Sequence, residues 1–589
     1  MPIPTPRGRD YLLALGLCAA SVGVLGLAQR DQGVMRDEAT YFEAGERYWG
    51  WFADLADNLA AGRTKNSFSA RSLATYWAVN NEHPVLCKVL FGISWRVFHG
   101  AKPTPAAKAA TGVAAGSWSR WSGISAFRLP GWLFVGLAAA ILYLFGVRIE
   151  SRLAGLGAAL LYVTLPHVFF HGQLAAFDSP IATMWLLTVY AYVRSLERAR
   201  WGILAGIIFG LTLATKHNAW FLPPLLLLHY LVVVRPDLSL RPLQLPRIPL
   251  AFVAMLFLGP LVFWAHWPWL WFDTVNHLKG YFGFHLHHSY YNIEYLGRNL
   301  GQPPLPMSYP FVMTLFTVPT LTLLLGIAGL WLYARVPITT VLSRWIGVRP
   351  PPLDDRFRFA ARRGWLRPGL GLDPRLGLLF AINVAFPLLL IAHPKTPHFG
   401  GTKHWLTAYP FLALLAGVAL SRLGALVREA LPRLGTLASA LLILCTPLPG
   451  VLAIAFSHPY GLSQYNALAG GAAGGADLGL VRQFWGYPSR QLLPTIDKLV
   501  PRGASVYWHD TSPDSTNAYV RDGLLRPDVL YAGPENRAAI DASSWAMVMH
   551  ELHFNKYDYW IWDAYGTGVP VTVLHLDGVP VLSFYKRPR

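Results

Sequence analysis

Charge is what this sequence has least of. Only 14% of its 589 residues are Asp, Glu, Lys or Arg, where a soluble globular chain carries about 25%. So few charges cannot cover a watery surface of this size, so the length does not translate into a string of soluble domains. Cysteine is almost missing: Cys18, Cys87 and Cys445 lie far apart, which excludes a disulfide scaffold and any paired-cysteine metal site. There is no glycine-rich phosphate loop, no Ser-His-Asp motif, no HExxH and no internal repeat. Composition excludes disorder, coiled coil and collagen.

Apolar and aromatic residues are there instead. The chain is 53% hydrophobic, with 23 Trp, 26 Tyr and 31 Phe, and its mean hydropathy is +0.35. Aromatic rings concentrate at membrane interfaces, so the composition predicts a polytopic α-helical membrane protein. Apolar runs fall at 11–28, 128–147, 152–171, 178–194, 201–215, 217–234, 248–266, 310–334, 376–393, 405–421 and 434–457. Reading each as a crossing gives about 11 transmembrane helices.

The formal charge of +19 could signal nucleic acid, but its placement points elsewhere. Arg7 and Arg9 precede the first run and keep the N-terminus cytoplasmic; that run reads as an uncleaved anchor. Alternation then places inside Arg148 and Arg152; Arg194, Arg198 and Arg200; Arg235, Arg241 and Arg247; nine Arg from Arg335 to Arg375; and Arg422, Arg428 and Arg433. The expectation is an N-terminus in, a C-terminus out and no nucleic-acid partner.

The first external loop spans 31–127. Its apolar stretch His83–Phe98 holds Lys88 and Arg96 and reads as an interfacial or re-entrant helix, followed by a flexible connection over 100–123. A transmembrane module therefore covers 1–460, a Gly-rich linker 461–499 and a small external α/β domain 500–589. That last unit shows strand-like segments: SVYWHD, PDVLYAG, WAMVMHE, YDYWIWD, VTVLHL and VLSFYK.

Polar residues cluster at the external helix ends, which suits an enzyme acting on an amphiphilic substrate at the outer surface. No Asp/Glu/His relay runs through the apolar segments, which weakens an ion-coupled transporter. Asp37 and Glu38 lie just past the first run; an acidic pair there is an ordinary helix cap or a base at the headgroup level. His83 and Lys88 share one side of a turn; Lys88 either snorkels or supplies the cation a lipid phosphate needs. Asp178 opens another helix, where capping alone would also explain it. Lys216 and His217 occupy a further external turn. Between Ala265 and Tyr295, His285, His287 and His288 are interleaved with aromatic rings, a pattern better suited to sugars and phosphates than to zinc. Lys395, His398, Lys403 and His404 lie between two later runs, and a last cluster covers Ser457–Gly471.

The order of these clusters resembles the GT-C glycosyltransferases that use polyprenyl-phosphate sugars. It is most similar to the protein O-mannosyltransferase / lipid A aminoarabinose transferase superfamily (glycosyltransferase family 39) and its bacterial RgtA/B/C/D-like relatives. The resemblance spans residues 11–460. The acidic first-loop motif is Asp37-Glu38, followed by Tyr41 and Glu43; His83-Pro84-Val85-x-x-Lys88 lacks the family's second proline; Arg128-Leu129 and Asp178 complete the series.

The resemblance implies a GT-C fold in a bacterial plasma (inner) membrane and an inverting transfer from a polyprenyl-phosphate-linked sugar donor to a lipid, glycan or protein acceptor. It implies Asp37 as base, with Glu38 and Asp178 beside it. Lys88 would be the first phosphate cation, with Arg128 and Lys216 next and His83, His217, Lys395, Lys403 and His404 near the lipid phosphate. No cofactor is implied; Asp37, Glu38 and Asp178 would be the ligands if a divalent cation is used. A transporter or flippase for polyprenyl-linked glycans, or a non-catalytic membrane-assembly protein, are the readings from other classes. Convergence of Asp37, Asp178 and Lys88 on one outer cavity would favour the enzyme.

Overall fold

The computed structural model describes residues 5–100, 121–234, 239–240, 243–244, 248–346 and 374–588. The connection expected over 100–123 lies almost wholly outside them. So do Arg235, Arg241, Arg247 and most of the arginines from Arg335 to Arg375.

The chain is a multi-pass helical protein, but about 11 crossings are not there. Among the described residues four helices are long and apolar enough to cross a membrane: Gly8–Ala28, Gly123–Ile149, Gly401–Ala430 and Gly435–Ser457. Two bent pairs, Arg152–Val163 with Pro166–Gly172 (69°) and Tyr309–Thr317 with Thr320–Tyr333 (119°), raise the number to six at most. The remaining runs fall short for visible reasons. Arg200–Leu213, Leu250–Ala265 and Leu376–Ala392 are 10–17 residues long, less than the roughly 20 that span the hydrocarbon. The run at 217–234 breaks into a 3₁₀ turn, His217–Phe221, before the helix Leu222–Val234. Asp178–Glu197 is long enough but carries Asp178, Ser179, Thr183, Thr188 and Arg194, and it is buried along most of its length inside the protein. The alternation of sides counted across eleven runs lapses with them.

The first loop is built by the helix Arg36–Ala60, whose Tyr41, Ala44, Tyr48 and Trp51 recur on one face and are buried. That helix crosses Leu86–Phe98 where Gly45 meets Gly92. A Cβ on Gly92 would lie 2.2 Å from the Gly45 carbonyl oxygen, so only glycine lets the two backbones touch. A short hairpin, β1 (Ile293–Tyr295) and β2 (Arg298–Leu300), follows the helix Thr274–Leu286.

The C-terminal region holds a mixed sheet of β3 (Ser505–Trp508), β4 (Leu530–Ala532), β5 (Trp545–Met549), β6 (Thr572–Leu576) and β7 (Val579–Lys586), in the order β4-β3-β5-β7-β6. The first three run parallel, and β7 is antiparallel to β5 and β6. YDYWIWD is not a strand. It belongs to the helix Asn555–Tyr565, and its Tyr557, Ile561 and Tyr565, four apart, pack onto Tyr507, Val548 and Tyr585 of the sheet. An aromatic-rich run this short reads with either period.

This sheet region is bolted to the first loop. The Tyr519 hydroxyl accepts from Val34 N at 2.7 Å. The Asp522 carboxylate accepts from Gly123 N (2.8 Å) and Ile124 N (3.0 Å), filling orphan donors at the start of the Gly123–Ile149 helix. Arg36 pairs with Asp510 at 2.9 Å and Arg521 with Glu46 at 2.8 Å.

Candidate functional site

A cavity of about 410 Å³ opens where the first loop, the helix Asp178–Glu197, the Lys216 turn, the helix Thr274–Leu286 and the His393–Trp405 segment meet. Asp37, Asp178, Lys216, His83, His217, Lys403 and His404 all line it. With Glu38 at its edge, eight of the side chains expected at the site, drawn from segments up to 367 residues apart, share one wall system. Leu286, Phe221, Phe282 and Leu390 supply an apolar flank.

Within the acidic pair, Glu38 serves as the cap and Asp37 is left free. The helix starts at Arg36, so Glu38 occupies its third position and reaches back to Met35 N at 3.2 Å. Its two oxygens also accept from Arg128 Nε and Nη2, both at 2.7 Å, and from Ala175 N at 2.8 Å. Four bonds use the four lone-pair sites a carboxylate has. Although Glu38 borders the cavity, no capacity remains for a proton or a metal.

Arg128 is equally committed. Its remaining donors go to the carbonyls of Gln29 (3.2 Å), Gln32 (2.8 Å) and Gly33 (2.7 Å), the open end of the first helix. It has no exposed surface and does not line this cavity. Asp37 is left half-exposed, lining the cavity, with no hydrogen-bond or ion-pair partner among the described residues.

The cations divide in the same way. Lys88 is fully buried, and its Nζ donates to Asn80 O (2.5 Å), Asn80 Oδ1 (3.1 Å) and His83 O (2.9 Å). Burial pushes its pKa down to about 7, with Glu82 pulling it back. It holds the Asn80–His83 turn from behind and is not on the cavity wall, so it does not converge with Asp37 and Asp178. Lys395 is exposed and contributes its carbonyl to Tyr290 at 2.9 Å.

Lys216 does face the cavity and pairs with Asp178 at 2.6 Å; His171 lies 3.7 Å from the other Asp178 oxygen. Lys403 has no carboxylate partner among the described residues. Its ammonium sits over Trp485 (3.9 Å), Phe399 (4.2 Å) and Phe484 (5.1 Å), within electrostatic reach of Asp37 and Asp178. The His404 ring is fixed by the Phe399 carbonyl, 2.7 Å from Nε2.

With Glu38 saturated and Asp178 bound to Lys216, the three acids expected as metal ligands do not converge. No group of three or more His, Cys, Asp or Glu suited to a metal occurs among the described residues. The histidines close in sequence separate: His285 and His288 line the cavity, while His287 is exposed.

Sequence reasoning missed Trp485 altogether. It comes from the segment before the C-terminal sheet, has φ of +74°, and closes the cavity over Lys403. Gly486, next to it, also has positive φ, and a Cβ there would lie 1.8 Å from the Asp510 carbonyl oxygen. No periodicity marks such a residue; the only local sign is an aromatic pair before a glycine.

Residues 121–264 match the family model described as dolichyl-phosphate-mannose-protein mannosyltransferase. No curated protein matches the chain. Among solved structures, the chain is similar to ArnT from Cupriavidus metallidurans bound to undecaprenyl phosphate, with 14% identity, 98% of each chain covered and a TM-score of 0.46. The same ArnT in the apo state gives 15% identity, 96% and 97% coverage and a TM-score of 0.46. The Archaeoglobus fulgidus oligosaccharyltransferase tethered with an acceptor peptide gives 11% identity, 95% of this chain and 71% of that one, and a TM-score of 0.44.

Proposed function

We propose that this protein is an inverting glycosyltransferase of the GT-C class that moves a hexose or pentose from a polyprenyl-phosphate carrier to a lipid, glycan or protein acceptor. The observation that carries the reading is the pairing of opposites in one cavity: an uncommitted carboxylate, Asp37, and two ammonium groups, Lys216 and Lys403, beside an apolar flank. The family match at 121–264 supports it, and the first-loop motif favours the glycosyltransferase family 39 and RgtA/B/C/D-like group.

The chemistry asks little more. An acceptor hydroxyl oxygen bonds to the anomeric carbon, its proton passes to Asp37, and the bond from that carbon to the phosphate oxygen breaks with inversion. The electron pair leaves on the polyprenyl phosphate, where Lys216 and Lys403 stabilise the charge that develops. The apolar flank receives the first isoprene units. Asp178 tethers Lys216 and keeps its ammonium pointed at the cavity.

The cavity lies at the other end of the first helix from Arg7 and Arg9, and this positive flank supports an external face of a bacterial plasma membrane as the place of the reaction. The C-terminal sheet, bolted to Val34 and Arg36, lies on that same face.

Transfer from polyprenyl-phospho-sugars to candidate acceptors by the purified protein tests the reading. Asp37→Asn keeps size and removes basicity, so turnover should fall about 10²-fold or more with both substrates saturating. Near-normal turnover would remove Asp37 as the base.

A further inference from the structure

One wall of the cavity has no part in the chemistry above. His217 and His285 stack with ring centroids 3.9 Å apart, and His83 tilts against His285 at 5.5 Å. Asn218 follows His217 on the same wall, and Trp220 lies beyond it. Buried polar atoms almost always have partners, yet here Nδ1 of His83, Nδ1 of His217, Oδ1 of Asn218 and both ring nitrogens of His285 have none among the described residues. His285 comes near the Glu82 carbonyl without the geometry of a hydrogen bond. Lys216, bound to Asp178, immediately precedes the stack, so the wall adjoins the place where the phosphate charge would sit.

The chemistry of these atoms discriminates between ligands. A phosphate only accepts hydrogen bonds, whereas a sugar hydroxyl both donates and accepts. Burial holds the three imidazoles below their ordinary pKa, His285 at about 4, so at neutral pH each ring offers one donor and one acceptor. The Asn218 amide likewise offers both. Mixed donors and acceptors beside an aromatic face suit hydroxyls and not an anion.

We propose that His83, His217, Asn218 and His285 form the sugar-reading wall of this cavity, and that the donor they select carries an uncharged, hydroxyl-bearing sugar. This rests on the glycosyltransferase reading and names the part of the donor that each wall holds: Lys216 and Lys403 the phosphate, the imidazole and amide wall the sugar.

The test compares two lipids on the full-length protein in detergent: polyprenyl phosphate without a sugar, and the preferred member of a panel of polyprenyl-phosphate mannose, glucose, galactose, arabinose and N-acetylglucosamine. His285→Phe keeps a flat ring against His217, and Asn218→Leu keeps size. Each should leave the sugar-free lipid bound within about twofold, weaken the preferred sugar-lipid about tenfold, and flatten the ranking among sugars. Equal weakening for both lipids, or no change for either, overturns the assignment. Where the Phe variant does not fold, Asn218→Leu carries the test by the same criteria: the sugar-free lipid bound within about twofold, the preferred sugar-lipid weakened about tenfold. Wild-type protein that binds neither lipid and transfers no sugar would overturn the glycosyltransferase reading itself, and this proposal with it. Wild-type protein that transfers while the variants keep its sugar ranking overturns this proposal alone.

Discussion

Asp37 and Glu38 are neighbours in sequence and belong to different regions of the molecule. Glu38 faces Arg128 in a buried knot where every lone pair and every guanidinium donor has a partner. Asp37 enters a cavity where a carboxylate, the Lys403 ammonium and a row of imidazole nitrogens have no hydrogen-bond partner among the described residues. The knot makes the first loop rigid, and that rigidity is what allows the adjacent residue to be held half-exposed without a partner. The lysines repeat the contrast: Lys88 is spent on three carbonyl-type oxygens, while Lys403 is held by aromatic faces that leave its ammonium hydrogens available.

The comparison breaks first in the knot. Glu38→Gln or Arg128→Ala should strand a buried charge and cost about 3–5 kcal/mol, seen as loss of folded protein and a lower melting temperature in detergent. Asp37→Asn removes no partner, so its melting temperature should stay near that of the parent while turnover falls about 10²-fold. If Glu38→Gln folded normally and lost activity as deeply as Asp37→Asn, the two roles would have to be reassigned.

Lys403→Met against Lys88→Met sharpens the contrast. Loss of a charge-assisted bond to phosphate should weaken sugar-free polyprenyl phosphate by roughly tenfold or more in the first, whereas the second should lower folded yield and leave affinity in the surviving protein nearly unchanged.

The smallest effect is a pH slope from His285. Its pKa falls to about 4 on folding from an unfolded value near 6.5. Between those values the unfolded chain binds more protons than the folded one, so stability declines as pH drops from about 6.5 toward 4. His285→Phe should flatten that part of a melting-temperature profile.

The lining of the cavity was legible where an uncommon charged residue falls at the edge of an apolar run, as with Asp37, Asp178, Lys216 and Lys403. It was illegible where a partner is backbone or distant. Lys88 is absorbed by carbonyls, which leave no mark in a sequence, and Glu38 meets an arginine 90 residues away. The fold divides similarly. Alternation marked all five strands, β3 to β7, whereas hydropathy reports how apolar a run is and not where it bends. The 119° break between Thr317 and Thr320 and the 3₁₀ turn at His217 are settled by packing.

The hydrogen bond from Val34 to Tyr519 links positions 485 residues apart. Together with Asp510 on Arg36 and Trp485 over Lys403, it means that the loop bearing Asp37 is fastened by segments more than 400 residues further along the chain. While the ribosome is still adding the C-terminal sheet, the apolar helices are already made, but the cavity has neither its lid nor a fixed Asp37 loop. A chain still short of Trp485 and Asp510 therefore has most of its apolar helices but lacks both the ring over Lys403 and the anchors of the Asp37 loop.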